Sequence, residues 1–115
     1  MKIRPFEIAD LNQVALLLDA YRMFYKKDSD VEACKYFIDA RYNHNESIIF
    51  VAEENDMVFG FVQLYSVFST VNLQRAYILN DLFVQSNNRS SRTGKKLIEK
   101  SLEYVKENNA RYVCL

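Results

Sequence analysis

The chain has 115 residues, half of them hydrophobic, with 15 Lys and Arg balanced by 15 Asp and Glu. That length suits one domain with its own core, and eight Tyr with eight Phe exclude a disordered chain. Zero net charge argues against a nucleic-acid partner, because neutralising phosphates takes a surplus of basic residues that Lys95, Lys96 and Lys100 are too few to supply.

In chain order, Met1 to Pro5 reads as a short strand ended by the single proline. Leu11, Val14, Leu18, Tyr21 and Tyr25 then recur at helical spacing, with Asp10 at the end where the helix dipole favours a carboxylate. Lys26 to Asp30 is a charged break. A second helix is expected from Val31 to Tyr42, burying Val31, Cys34, Phe37 and Ile38 and stopping at Asn43-His44-Asn45. Ser47 to Ala52 is an apolar run of strand length, and Glu54-Asn55-Asp56 turns it into an antiparallel strand from Met57 to Phe68. Ser69 to Leu73 links to a strand from Ala76 to Val84. A polar loop follows, then a helix with the stripe Leu97, Ile98, Leu102 and Val105, ended by Asn108-Asn109, and a fifth strand begins near Arg111. There is no internal repeat and no linker, so residues 1–115 form one domain. Antiparallel strands followed by a strand, loop, helix and strand unit describe an α+β fold, a central mixed sheet, mostly antiparallel, between layers of helices.

Several chemistries are argued against by residue counts. Cys34 and Cys114 lack metal-ligand spacing and read as buried free thiols in a reducing compartment. His44 is the single histidine, so neither a histidine triad nor a multi-histidine metal site is expected, and no metal is expected at all. No apolar run is long enough for a membrane span or signal peptide, and the expected location is the cytoplasm.

The loop Arg89-Ser90-Ser91-Arg92-Thr93-Gly94, between Ile78-Leu79-Asn80-Asp81-Leu82-Phe83-Val84 and Lys95-Lys96-Leu97-Ile98, resembles the coenzyme A loop of GNAT-type N-acetyltransferases. That family's loop runs Gln/Arg-x-x-Gly-x-Gly/Ala. Arg89 and Gly94 match it, while Arg92 replaces the first glycine. Upstream, Tyr21-Arg22-Met23-Phe24-Tyr25, Glu46-Ser47-Ile48-Ile49-Phe50, Gly60-Phe61-Val62-Gln63-Leu64-Tyr65 and Arg75 fall in the order seen in one bacterial branch of these enzymes. The resemblance implies the acyl-CoA acyltransferase fold and acetyl transfer from acetyl coenzyme A to a primary amine of a small molecule or peptide. The family's domain continues through another helix and a closing pair of strands, so this chain is expected to be a C-terminally incomplete domain, and an uncovered sheet edge favours a homodimer.

By residue chemistry, Ser90, Ser91 and Thr93 offer hydroxyls to a pyrophosphate, Gly94 allows close approach, and Arg89, Arg92 and Lys95 bring charge. The same residues equally describe a polar loop capping a helix, with Ser91 or Thr93 as N-cap. Arg92 in left-handed backbone would cost on the order of 1 kcal/mol. Its side chain either crowds the pyrophosphate or swings out towards the ribose 3′-phosphate.

What the resemblance implies for the site is that the backbone of Leu82, Phe83 and Val84 meets the pantetheine. A general base must take the ammonium proton. Polyamine-type relatives carry Glu-Asp where this chain has Asn80-Asp81, which leaves Asp81 as the candidate base and Asn80 and Tyr65 as helpers. Asp81 is equally well read as a structural hydrogen-bond acceptor. Relatives line the acceptor pocket with the regions that here hold Tyr21, Arg22, Tyr25 and Gln63. Arg22, on the apolar side of its helix, wants a carboxylate, from the protein or from a substrate. Tyr104 and Tyr112 lie in the wrong elements to be carried over, and no catalytic acid is assigned. The alternative is an impaired relative that binds coenzyme A or a protein partner without turnover, which Arg92 and Asn80 favour.

Overall fold

The computed structural model describes residues 1–85 and 92–114, the last three by backbone alone. Five strands and three longer helices follow in the expected order: β1 (Lys2–Pro5), α1 (Leu11–Phe24), α2 (Val31–Asn43), β2 (Ser47–Glu54), β3 (Met57–Ser69), β4 (Gln74–Val84), α3 (Thr93–Glu107) and β5 (Arg111–Cys114). The strands lie in sequence order in one sheet, antiparallel from β1 to β4, with β5 parallel to β4. Asn55 and Asp56 close the β2–β3 hairpin with φ of 52° and 64°, the paired left-handed geometry whose twist matches the strands it joins. Gly60 is required where β3 meets β4. A Cβ there would stand 3.2 Å from both the Phe83 carbonyl oxygen and Val84 Cγ2.

The sheet has a core on each face, which makes three layers. Val14, Leu18, Cys34 and Ile38 of α1 and α2 pack on Ile49, Val51 and Phe61, while Leu97 of α3 packs on Phe50, Ala52, Val62 and Val84. The apolar stripe of α3 is turned by one residue from the expected one. Leu97, Ser101 and Val105 are buried and Leu102 is exposed, because the small Ser101 fits beneath the helix with its hydroxyl donating to the Leu97 carbonyl at 2.9 Å. Phe37, expected in the core, is 40% exposed with the Arg41 guanidinium over its ring at 4.6 Å. Cys34 is a buried free thiol whose pKa burial pushes up, and the side chain of Cys114 lies outside the described residues. His44 Nδ1 lies 2.7 Å from the Ala40 carbonyl and caps α2. No described helix is long and apolar enough to cross a membrane.

Two carboxylates fix the helices that flank the later site. Asp10 accepts both terminal nitrogens of Arg4 at 2.8 Å and the Glu7 N–H at 2.8 Å, and the Arg4 Nε donates to Glu53 at 2.6 Å. Asp19, buried on α1, accepts the Ser29 hydroxyl and the Asp30 N–H, each at 2.7 Å, and Asp30 in turn caps α2 by accepting the Ala33 N–H at 3.1 Å. The connection between α1 and α2 therefore hangs on Asp19.

Arg4 holds the Asp10 carboxyl below its ordinary value of 3.8, and the Ser29 hydroxyl with the Asp30 N–H does the same for Asp19. A carboxyl whose pKa is lower folded than unfolded contributes its full stability above the unfolded value and loses it as the pH falls through the folded one. Urea midpoints should thus stay level above pH 5 and fall below pH 4. At pH 7 Asp10→Asn should lose about 1–3 kcal/mol, the worth of a charge-assisted pair, and the loss should shrink at low pH. A pH-independent loss would remove the carboxylate charge from this account.

Candidate active site

A strand alternates its side chains between the two sheet faces, so Gln63 and Tyr65 of β3 share the α1–α2 face. On β4 the alternation is broken. Gln63 pairs with Asp81 but Leu64 pairs with Leu79, so Asn80 is an extra residue, a β-bulge. The bulge turns Asn80 and Asp81 towards the same side, and both line a cavity of about 350 Å³ with Gln63, Tyr65 and, from α1, Arg22.

Asp81 is the hub of the polar wall. Its Oδ2 accepts Gln63 Nε2 at 2.8 Å and Asn80 Nδ2 at 3.1 Å. A carboxylate only accepts, which fixes the Gln63 amide with its nitrogen on Asp81. Gln63 is 1% exposed, and its other end, Oε1, is buried with no donor among the described residues. An orphaned buried acceptor costs about 1–3 kcal/mol, a strain found where a ligand is to be held. Two phenols feel this carboxylate. Burial first, and Asp81 second, push the pKa of Tyr21 and of Tyr65 up to about 12.

Across the sheet, α3 starts where β4 leads. Arg92 caps it in left-handed backbone, φ 64° and ψ 19°, with its side chain exposed and its carbonyl accepting the Lys96 N–H at 3.1 Å. The strain expected of a residue replacing glycine is thus present, and the side chain has gone outward. Thr93 is the first helical residue rather than the cap. Its side chain is fully buried, with the hydroxyl 3.3 Å from Met1 Sδ. Gly94 is half-buried in an ordinary helical conformation. Among the described residues a Cβ there would meet nothing closer than Leu82 Cδ2 at 3.9 Å, so their packing does not require the glycine.

The structure brings Asp81, Asn80, Tyr65, Gln63 and Arg22 together around one cavity. Tyr21 adjoins it through Asp81, and its ring packs edge-on against Tyr25 at 5.2 Å and tilted against Phe83 at 5.7 Å. Tyr25 is 61% exposed and forms the outer edge of that cluster. Leu82 and Val84 side chains pack on the α3 face and Phe83 on the α1 face, which leaves only their backbone for a ligand. Lys95 is exposed beside Gly94. Arg89, Ser90 and Ser91 lie outside the described residues. Sequence reasoning missed the α2 wall of the cavity, Ala33, Cys34 and Phe37. The available signal was Cys34 and Phe37 three residues apart, read as core alone.

Residues 13–115 match the model of the acetyltransferase (GNAT) family. The chain belongs to that family. An uncharacterized N-acetyltransferase of Bacillus subtilis, YhfO, is 40% identical over 115 residues, which is 100% of this chain and 77% of that protein. The crystal structure of a probable acetyltransferase superposes with a TM-score of 0.93 at 32% identity, covering 100% of this chain and 79% of the other. A predicted acetyltransferase of Clostridium acetobutylicum, solved with acetyl-CoA, superposes with a TM-score of 0.81 over 99% of this chain and 79% of its own; at 11% identity it speaks for the fold alone. The GNAT chain described here is accordingly an acyltransferase with the three-layer fold expected of it.

Removing the Asp81 charge should ease ionisation of the two phenols that face it. In ¹³C-tyrosine NMR titrations, Tyr21, Tyr65 and Tyr104 should titrate last in the wild type, and Asp81→Asn should lower the values of Tyr21 and Tyr65 while Tyr104, held up to about 12 by burial and Tyr77 on the other sheet face, stays put. Unmoved phenols would mean that Asp81 does not face them.

Proposed function

We propose that this GNAT domain transfers the acetyl group of acetyl coenzyme A to a primary amine of a small molecule or peptide. The observation that carries the reading is the bulge at Asn80, which sets the one carboxylate of the cavity wall, Asp81, beside Asn80 on a strand that runs on towards the N-terminus of α3. On this reading the α3 start holds the pyrophosphate end. Backbone N–H groups of a helix N-terminus favour an anion, Arg92 and Lys95 add charge, and Gly94 leaves the surface low. The backbone of Leu82 to Val84 runs along the pantetheine.

The amine enters from the cavity. Asp81, held by Gln63 and Asn80, takes one proton of the ammonium directly or through water, the freed amine attacks the thioester carbonyl, and as the adduct collapses the carbon–sulfur bond breaks, the thiolate leaving with the coenzyme and the second nitrogen proton passing to it or to water. A β4 backbone N–H beside the bulge steadies the oxygen that gains charge. Asn80 and Tyr65 orient the amine or its water. The second reading, binding without turnover, is favoured by Arg92, whose left-handed backbone carries a side chain where the family loop has hydrogen. Assembly as a cytoplasmic homodimer belongs to this proposal, with the exposed Phe68, Val71 and Leu73 at the β3–β4 turn as the apolar surface for a second copy.

Calorimetric titration with acetyl coenzyme A tests the first half. Gly94→Asp should fold normally, because its Cβ has room, yet bind at least about tenfold more weakly, the equivalent of 1.4 kcal/mol. Equal affinity would take the α3 start out of the account. For the second half, Asp81→Asn should lower the acetyl-transfer rate by roughly 10²–10⁴-fold, as loss of a general base does. A wild-type rate in the folded variant would move the base elsewhere, and coenzyme binding with no transfer to any amine in the wild type would favour the second reading.

A further inference from the structure

The cavity contains a cation that makes no direct ion pair among the described residues. Arg22 lies one turn beyond Leu18 on α1, half-buried, and lines the cavity with Asp81. Asp19 on the same helix shares its field, but its oxygens accept the Ser29 hydroxyl and the Asp30 N–H and it forms no ion pair with the guanidinium. None of the ion pairs among the described residues includes Arg22. Asp81 belongs to a different wall, tied to Gln63 and Asn80. The guanidinium also acts on the Cys34 thiol, which burial keeps neutral.

A half-buried guanidinium with no carboxylate in direct contact keeps its donors for water or a ligand, and its planar fork matches a carboxylate bidentately. On the strand side the demand is opposite in sign. The Asp81 carboxylate and the donor-less Gln63 Oε1 both call for N–H groups. One wall therefore wants an anion and the other wants an ammonium, in a space of about 350 Å³, within the range of small-molecule sites.

We propose that the acceptor is an amino acid, its carboxylate on Arg22 and its amine at Asp81 and Gln63. This rests on the amine-acetylating reading above and narrows it. A diamine is disfavoured, since its second ammonium would meet the Arg22 cation. Leu18, Ala33 and Phe37 supply the apolar part of the lining, against which a side chain would lie.

The test is binding, which does not depend on turnover. Leucine, serine and lysine are titrated into the coenzyme-A-loaded protein as free acids, as amides and as decarboxylated amines, and followed by NMR. The free acid of at least one should bind about tenfold or more tighter than its own amide and amine. Arg22→Gln should abolish that preference and Arg22→Lys should keep part of it. Equal binding of acid and amide across the panel, tighter binding of the decarboxylated lysine, or a preference that survives Arg22→Gln would overturn the proposal. If Arg22→Gln does not fold, the wild-type comparison with Arg22→Lys still decides. Acid preference without acetylated product would sink the transfer reading alone, while transfer to amides and acids alike would sink this one alone.

Discussion

The site depends on one extra residue in β4. Without the bulge at Asn80, strict alternation from Tyr77 and Leu79 would send Asp81 into the α3 face among Leu64, Leu97 and Val105, and a carboxylate there would be buried without partners. With the bulge, Asp81 reaches Gln63, and the apolar alternation resumes on the correct faces at Leu82, Phe83 and Val84. The single insertion thus places a charge in the cavity while both cores keep their packing. Gly60 permits the ladder beyond it to close, since any side chain there would press on Phe83 and Val84.

The α1–α2 side is positioned by a second chain of hydrogen bonds. Asp19 holds Ser29 and Asp30, and Asp30 caps α2, so the helix that carries Cys34 and Phe37 is set at a fixed distance from the helix that carries Arg22. Asp19 is turned towards this connection and, though its charge acts on Arg22, it makes no direct pair with the guanidinium. The donors of that cation are thereby left open to a ligand.

Much of this was legible in the sequence, and the reason differs by element. Strand and helix order followed from apolar periods and from turn residues such as Asn55-Asp56, whose left-handed backbone the structure confirms. Two adjacent polar residues, Asn80-Asp81, inside an apolar strand already conflict with strict alternation, so the bulge left a trace, though which face the strand would take afterwards depends on its partner. The exposure of Phe37 and Leu102 was not legible, because helical spacing gives a stripe to within one residue and neighbours such as Ser101 and Arg41 decide its edge. The burial of Thr93 was not legible for a similar reason. A short hydroxyl residue suits the first turn of a helix, and nothing in the sequence placed Met1 beneath it.

The two halves of the proposed reaction lie on opposite faces of one sheet, with the α3 start on one side and the cavity of Arg22 and Asp81 on the other. A continuous sheet would keep them apart. The bulge at Asn80 interrupts the alternation of β4 between those faces, so the strand that turns Asp81 into the cavity also lays Leu82 and Val84 on the α3 side. On the proposed reading the acyl chain anchored at α3 and the amine in the cavity meet along this strand, which makes the position of the extra residue as important as its chemistry.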